Sequence, residues 1–225
     1  MKGIKFYFSS ILITIFLLTG CMKKKKKIIF FGDSLTQYGV LTGGYIDLLN
    51  KKLEDNNRQG NYELLGSGIV GNKITDLYYR LEEDVLKKKP DVVVIWIGVN
   101  DVWLKSTVSK GAESEEFEKL YSEIIRRLQA EHIKIILVTP AVIGEQYDNS
   151  GQKDDELNLY SAIIHKLAKQ YGCTVCDIRT AFINYEKIHN KANLVYGILT
   201  TDGVHLNLYG NQLVADIMYS LLADK

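Results

Sequence analysis

Pro90-Asp91-Val92-Val93-Val94-Ile95-Trp96-Ile97-Gly98-Val99-Asn100-Asp101 reads as a strand covered on both faces. A strand with one wet face alternates apolar and polar residues, whereas Val92 to Ile97 is apolar without a break. Such runs occur where helices cover both sides of a parallel sheet. Pro90 marks the entry and Gly98 the exit of the run. Including this segment, taken as Asp91–Ile97, five runs have the character of buried strands. The others are Ile28–Phe31, Tyr62–Leu65, Ile133–Thr139 and Thr174–Ile178.

Helical periodicity fills the gaps. Phe117, Leu120, Tyr121, Ile124, Ile125 and Leu128 recur at i, i+3, i+4, i+7, i+8 and i+11. Leu213, Val214, Ile217, Met218 and Leu221 repeat the pattern near the end of the chain. Tyr45–Leu53, Ile74–Leu86 and Leu157–Ala168 are expected to be helical as well. These stripes are core-facing surfaces. Alternating strands and helices define an α/β protein, a three-layer α/β/α sandwich around a five-stranded parallel sheet. Five strands suit a flavodoxin-like order. In such sheets ligands bind outside the carboxyl ends of the strands, so chemistry is expected in the strand-to-helix loops. The longest are expected at Gly98–Gly111, Pro140–Lys153 and Thr180–Asn207.

The net charge of +1 conceals an uneven distribution. Lys2, Lys5 and Lys23–Lys27 account for seven of the 28 basic residues, which leaves 21 against 27 acidic, a net −6. The body of the chain is therefore acidic, which argues against a nucleic-acid partner.

Residues 1–20 read as a secretory leader: two lysines precede an apolar run of 13 residues, Phe6 to Leu18. A membrane-spanning helix needs about 20 apolar residues, and a short run behind a basic start is the pattern of a cleaved signal. Leu18-Thr19-Gly20-Cys21 resembles the lipobox of bacterial lipoproteins, which implies cleavage before Cys21 and lipid attachment to its sulfur. Residues 21–27 then form a lipidated cysteine with a polylysine tether, and 28–225 the folded domain. A tether of about six residues reaches roughly 20 Å. Its lysines either add attraction to anionic head groups or serve as a solvated linker. The expected location is the cell envelope, on the extracytoplasmic side, anchored to the membrane. Cys173 and Cys176 have the C-x-x-C spacing, but they flank an extended segment that holds them roughly 10 Å apart, too far for a disulfide. Free thiols are expected.

The residues that carry chemistry fall just after strands or in the last loop. Gly32-Asp33-Ser34-Leu35 follows the first strand and Gly66-Ser67-Gly68-Ile69-Val70-Gly71-Asn72 the second. Gly98-Val99-Asn100-Asp101 follows the third, and Asp202-Gly203-Val204-His205 precedes the last helix. Singly, each has an ordinary reading: a helix cap at Ser34 or Asp202, a turn at Gly71, an Asn/Asp turn at Asn100. Together they supply what acyl transfer requires. Ser34 is a hydroxyl nucleophile, and it needs a base to take its proton. His205 is that base near neutral pH. Asp202, three residues away, orients the imidazole and steadies its cation. The N–H groups of Ser34 and Gly71 and the Asn100 amide are candidates for an oxyanion hole. His132, His165 and His189 are the other histidines. Of these only His189, in a stretch expected to be irregular, rivals His205. Trp103, Tyr38, Tyr147 and Tyr196 either line an acyl or alcohol pocket or pack the loops down.

GDSL at 32–35, the glycine at 71, GVND at 98–101 and DGVHLN at 202–207, extended by Gly210, resemble the SGNH (GDSL) hydrolase family in order and spacing. They span nearly the whole mature chain. Gly66 departs from the pattern, standing where the family often has asparagine. The resemblance implies a flavodoxin-like fold without cofactor or metal, and the roles just assigned to Ser34, Gly71, Asn100, Asp202 and His205. The expected substrates are small acyl esters. Lysophospholipase or thioesterase action on membrane-derived lipids is the alternative within the family. A phosphate-cradling binding module leaves the DGVH segment without a purpose, and an inert lipoprotein leaves the set of Ser34, Asn100, Asp202 and His205 without one.

Overall fold

The structure is a computed structural model that describes residues 24–108, 113–147 and 153–223. The leader 1–20 and Cys21 lie outside the described residues, and the tether is described from Lys24 onward.

Five parallel strands form one sheet: β1 (Lys26–Gly32), β2 (Tyr62–Gly68), β3 (Val92–Trp96), β4 (Lys134–Val138) and β5 (Thr174–Cys176). Their order is β2-β1-β3-β4-β5, the flavodoxin-like order expected. Each apolar run became a strand because its odd and even residues find separate cores. Ile29, Phe31, Val93, Ile95, Ile135 and Leu137 pack on one face. Ile28, Phe30, Val92, Val94, Trp96, Ile136 and Val138 pack on the other.

The helices are α1 (Ser34–Gly39), α2 (Tyr45–Asp55), α3 (Ile74–Asp84), α4 (Val99–Val108), α5 (Ser114–Ala130), α6 (Asp154–Tyr171), α7 (Ile178–His189) and α8 (Leu208–Ala223). Buried side chains of α3, α5 and α6 complete the first core, and those of α2, α7 and α8 the second. The expected five periodic helices are α2, α3, α5, α6 and α8. Two of the three long loops need correction. Most of Gly98–Gly111 is α4, and the first third of Thr180–Asn207 belongs to α7. Strand β5 ends at Cys176, short of Ile178, because Asp177 caps α7 by accepting from Thr180 N. Cys173 and Cys176 are free thiols, the first half-buried and the second buried. Burial pushes them up to about 11 and about 12, respectively, so both are protonated at neutral pH.

Every strand points its carboxyl end at one edge of the sheet. Strand order reverses between β1 and β3, the switch point at which such sheets bind ligands. Ser34 follows β1 and Asn100 follows β3, so they flank it.

Candidate active site

Strand β1 ends at Gly32, and the chain turns at once into α1. Asp33 is the cap: its Oδ1 accepts from Leu35 N at 2.9 Å, and its carbonyl accepts from Gln37 N at 2.9 Å. Ser34 is therefore the first helical residue rather than the cap, and its own N–H has no earlier turn to bond. The end of β2 passes against this turn. A Cβ on Gly68 would sit 2.1 Å from Gln37 N and 2.5 Å from Asp33 O, so only glycine fits. Arg80 clamps the two strand ends, donating to Gly32 O at 2.6 Å and Ser67 O at 3.0 Å. Its guanidinium lies 4.5 Å above the Phe31 ring and pairs with Asp84 at 2.5 Å.

His205 reaches the turn from the other end of the chain. Its Nε2 lies 3.1 Å from Ser34 Oγ, and its Nδ1 lies 2.7 Å from Asp202 Oδ2. The other carboxylate oxygen, Oδ1, accepts from Val204 N at 3.0 Å and His205 N at 2.8 Å. One carboxylate thus shapes the turn and holds the ring that the turn carries. Asp202 does not cap a helix, since α8 begins only at Leu208. Partial burial opposes the Asp202 charge, but the hydrogen bonds from His205 and Val204 outweigh it and hold the carboxyl below its ordinary range. The Tyr38 ring packs beside the imidazole, with centroids 5.5 Å apart.

Asn100 is buried at the start of α4 and donates to Asn72 O at 3.0 Å. That bond joins it to the loop containing Gly71, whose φ of +77° suits glycine. The loop is braced at two further points, Ile69 N to Gly32 O at 3.3 Å and Val70 N to Gln37 Oε1 at 2.8 Å. Gly66, the departure from the family pattern, lies within β2 opposite Phe30. Asp101, next to Asn100, accepts from Ile74 N at the head of α3.

The other histidines lie elsewhere. His132 is exposed ahead of β4, at the opposite sheet edge. His165 bonds Asp177 at 3.0 Å. His189 ends α7 rather than lying in irregular chain, and it stacks on Tyr185 with centroids 4.1 Å apart. Of the four aromatic candidates, Tyr38 packs beside His205. Tyr196 is exposed, and Tyr147 N bonds Asn193 Oδ1. No cluster of three or more His, Cys, Asp or Glu among the described residues is arranged to hold a metal ion.

Sequence reasoning missed Glu145. It is fully buried in the loop after β4, yet its carboxylate accepts from Ile198 N (2.7 Å), Leu199 N (2.6 Å), Thr200 N (2.5 Å) and Thr200 Oγ1 (2.8 Å). Thr200 Oγ1 in turn accepts from Gly203 N, and Gly203 O accepts from Gly144 N. Glu145 is therefore the footing of the loop that carries Asp202 and His205. Nothing in Pro140–Lys153 sets this glutamate apart in the sequence, since its partners lie more than fifty positions away.

The GDSL-like Lipase/Acylhydrolase family matches residues 30–213. The chain belongs to that family. This GDSL esterase, a carboxylic ester hydrolase, is 30% identical over 206 residues to an acetylxylan esterase of Geobacillus stearothermophilus, covering 84% of the chain and 90% of that protein. The crystal structure of an acetyl xylan esterase, AlAXEase, matches it with a TM-score of 0.86 at 50% identity, covering 87% of the chain and 99% of the other. A Bacillus subtilis protein named as uncharacterized lipoprotein YqeF is 23% identical over 234 residues, covering 92% and 94%.

Ser34 is buried in its turn. Beside the turn lies a hollow of about 20 Å³ lined by Leu35, Tyr38, Leu206 and Asn211. Two larger clefts lie at the amino-terminal edge of the sheet, far from Ser34.

Next to Ser34 and Asn100 the esterase buries the carboxyls of Asp33 and Asp101. Burial pushes Asp33 up to about 7, against the pull of the Leu35 N–H, His205 and Arg80. Burial likewise pushes Asp101 up to about 7, with Ile74 N–H opposing and the Asp33 charge adding. A carboxyl raised in the folded state favours folding while protonated. Its contribution is full below its ordinary value and is lost as pH rises through about 7. Asp202 acts oppositely, losing its contribution only as pH falls through its lowered value. The melting temperature is therefore expected to be highest near pH 4, to decline as pH rises through about 7, and to have fallen by about 5–10 °C by pH 8. Asp101→Asn, which keeps an acceptor for Ile74 N, is expected to flatten the decline. Thermal unfolding by circular dichroism checks this, and a melting point rising steadily from pH 5 to 8 contradicts it.

Proposed function

We propose that this esterase removes small acyl groups, acetyl foremost, from neutral alcohol or carbohydrate esters through an acyl-enzyme on Ser34. The observation that carries the proposal is the unbroken chain from Ser34 Oγ to His205 Nε2 and from His205 Nδ1 to Asp202, at 3.1 and 2.7 Å. Ser34 Oγ attacks the ester carbonyl as His205 Nε2 takes its proton. Negative charge gathers on the former carbonyl oxygen. The N–H groups of Ser34 and Gly71 and the Asn100 amide receive it, each donor worth about 3–4 kcal/mol. The intermediate collapses, and His205 returns the proton to the departing alcohol. Water then attacks acyl-Ser34 with His205 again as base, releasing the acid and restoring the hydroxyl. Asp202 stabilises the imidazolium formed in both halves.

The side chains beside the Ser34 turn, Leu35, Tyr38 and Leu206, offer apolar contact that suits a small acyl group. The names of the acetylxylan esterase relatives point the same way. Lysophospholipase action, which needs room for a long chain, has no such support. Cys21 is proposed as the lipid-attachment site that holds the domain at the outer side of a membrane. Its motif and the lipoprotein name of one relative support this.

The test is a series of p-nitrophenyl esters from acetate to octanoate, together with acetate release from acetylated xylo-oligosaccharides. Specificity, as kcat/KM, is expected to be highest for acetate and to fall by about tenfold or more by octanoate, since each misfit methylene is worth about 1–3 kcal/mol. Octanoate outrunning acetate would reject the small-acyl reading.

A further inference from the structure

The helices crossing between adjacent strands run antiparallel to them, so their first turns lie at the catalytic edge and their last turns at the opposite edge. The first turns of α2, α3, α5 and α6 carry Asp47, Asp76, Glu115, Glu116 and Asp154–Glu156. Lys52, Arg127 and Lys169 sit in last turns, and Lys87 and Lys88 follow α3. Glu54 and Asp55 of α2 and Glu82, Glu83 and Asp84 of α3 offset those cations around the rim, so the basic character of that end is concentrated in its cleft.

At that end is a cleft of about 610 Å³. Lys24, Lys25, Lys26, Lys89 and Lys134 line it from the starts of β1, β3 and β4. The carboxylates in the lining are Asp91 and Glu131, and His132 is also present. Asp91 is partly spent, since its Oδ2 accepts from Lys27 N at 2.7 Å. Lys27 Nζ and Lys88 O close the rim at 3.0 Å. Lys24, Lys25, Lys89 and Lys134 are exposed.

We infer that this lysine-lined face docks on an anionic lipid bilayer, seating the esterase with its catalytic edge turned away from the membrane. Two observations select a bilayer as the occupant. The five lysines lining the cleft outnumber its two carboxylates, a balance complementary to anionic head groups. The polypeptide before Lys24, with its apolar run and Cys21, also joins the domain at this face. Strand β1 carries the chain about 20 Å from Lys26 to the catalytic edge. Lys26 lies five positions after Cys21, a reach of at most about 18 Å. With Cys21 lipidated as proposed, the domain cannot turn over to present Ser34 to the lipid. The favoured substrates are then soluble or wall-borne esters, not the lipids of the anchoring membrane. The docking face itself does not depend on lipidation or on the esterase mechanism.

The chain from Lys24 to Lys225 separates these questions, because every buried core residue lies between Ile28 and Leu222. Its co-sedimentation is measured with vesicles of phosphatidylcholine alone and of equimolar phosphatidylcholine and phosphatidylglycerol. The comparison protein carries Lys24→Glu, Lys25→Glu, Lys89→Glu and Lys134→Glu, and its hydrolysis of p-nitrophenyl acetate shows that it is folded. Binding is expected only to the anionic vesicles. Each lysine near such a surface is worth roughly fivefold in partitioning, so the variant is expected to bind at least about 100-fold more weakly, with unchanged hydrolysis. Three results would overturn the inference: equal binding to both vesicle types, anionic binding undiminished in the variant, or release by inorganic phosphate at constant ionic strength, which would mark a small-anion site instead.

Discussion

His205→Ala is expected to lower kcat for p-nitrophenyl acetate by roughly 10⁴-fold or more, about the loss seen when a general base is removed from a serine hydrolase. The reason is geometric. The Ser34 hydroxyl is buried with His205 Nε2 as its proton acceptor at 3.1 Å, and an alcohol of ordinary acidity attacks a carbonyl poorly without one. Asp202→Asn is expected to cost less, about 10²–10³-fold. A triad aspartate sealed from water is worth roughly 10⁴, but the Asp202 side chain is 49% exposed. Water therefore already supplies part of the field that steadies the imidazolium. Steady-state kinetics on the two variants check the order. An Asp202→Asn loss equal to or above that of His205→Ala would show that the aspartate does more than orient and steady the ring.

Glu145→Ala is expected to have the largest effect on stability. The substitution leaves the N–H groups of Ile198, Leu199 and Thr200 buried without their acceptor. At roughly 1–3 kcal/mol for each stranded donor, the loss is about 3–5 kcal/mol, which lowers the melting point by about 10 °C or more in a domain of this size. Well below that melting point, kcat is expected to fall about tenfold or more with little change in KM, because the same loop aims His205 at Ser34. Glu145→Gln keeps one acceptor oxygen and is expected to recover part of both losses. Calorimetry with kinetics at low temperature decides the matter. Full activity in Glu145→Ala would make the residue structural only.

The strands were legible because each is covered on both sides, which writes burial into the chain as unbroken apolar runs such as Val92–Trp96. The order β2-β1-β3-β4-β5 is not written in those runs, since any neighbour of a buried strand looks the same from within it. Helices α4 and α7 were missed for a related reason. Each opens on residues that also make turns, Val99-Asn100-Asp101 and Asp177-Ile178-Arg179, and six-residue α1 is too short to show a period. The hydrogen-bonded set of Ser34, His205 and Asp202 was legible because its members sit in local motifs, and Asp202 lies only three positions from the ring it holds. Glu145, Arg80 and Arg179 were not. Arg179 is buried, donating to Ala141 O at 2.9 Å and Asn158 Oδ1 at 2.8 Å and pairing with Asp154 at 2.5 Å. Their partners are distant stretches of backbone and single side chains, which leave no spacing to read.

The most direct measurement is reaction of the protein with a fluorophosphonate, followed by peptide mass mapping, in wild type and in His205→Ala. An activated Ser34 predicts one phosphonyl group per chain, on the peptide holding Gly32-Asp33-Ser34-Leu35, and little or none in the variant. Label on a different residue, or equal labelling of Ser34 with and without the His205 imidazole, would contradict it.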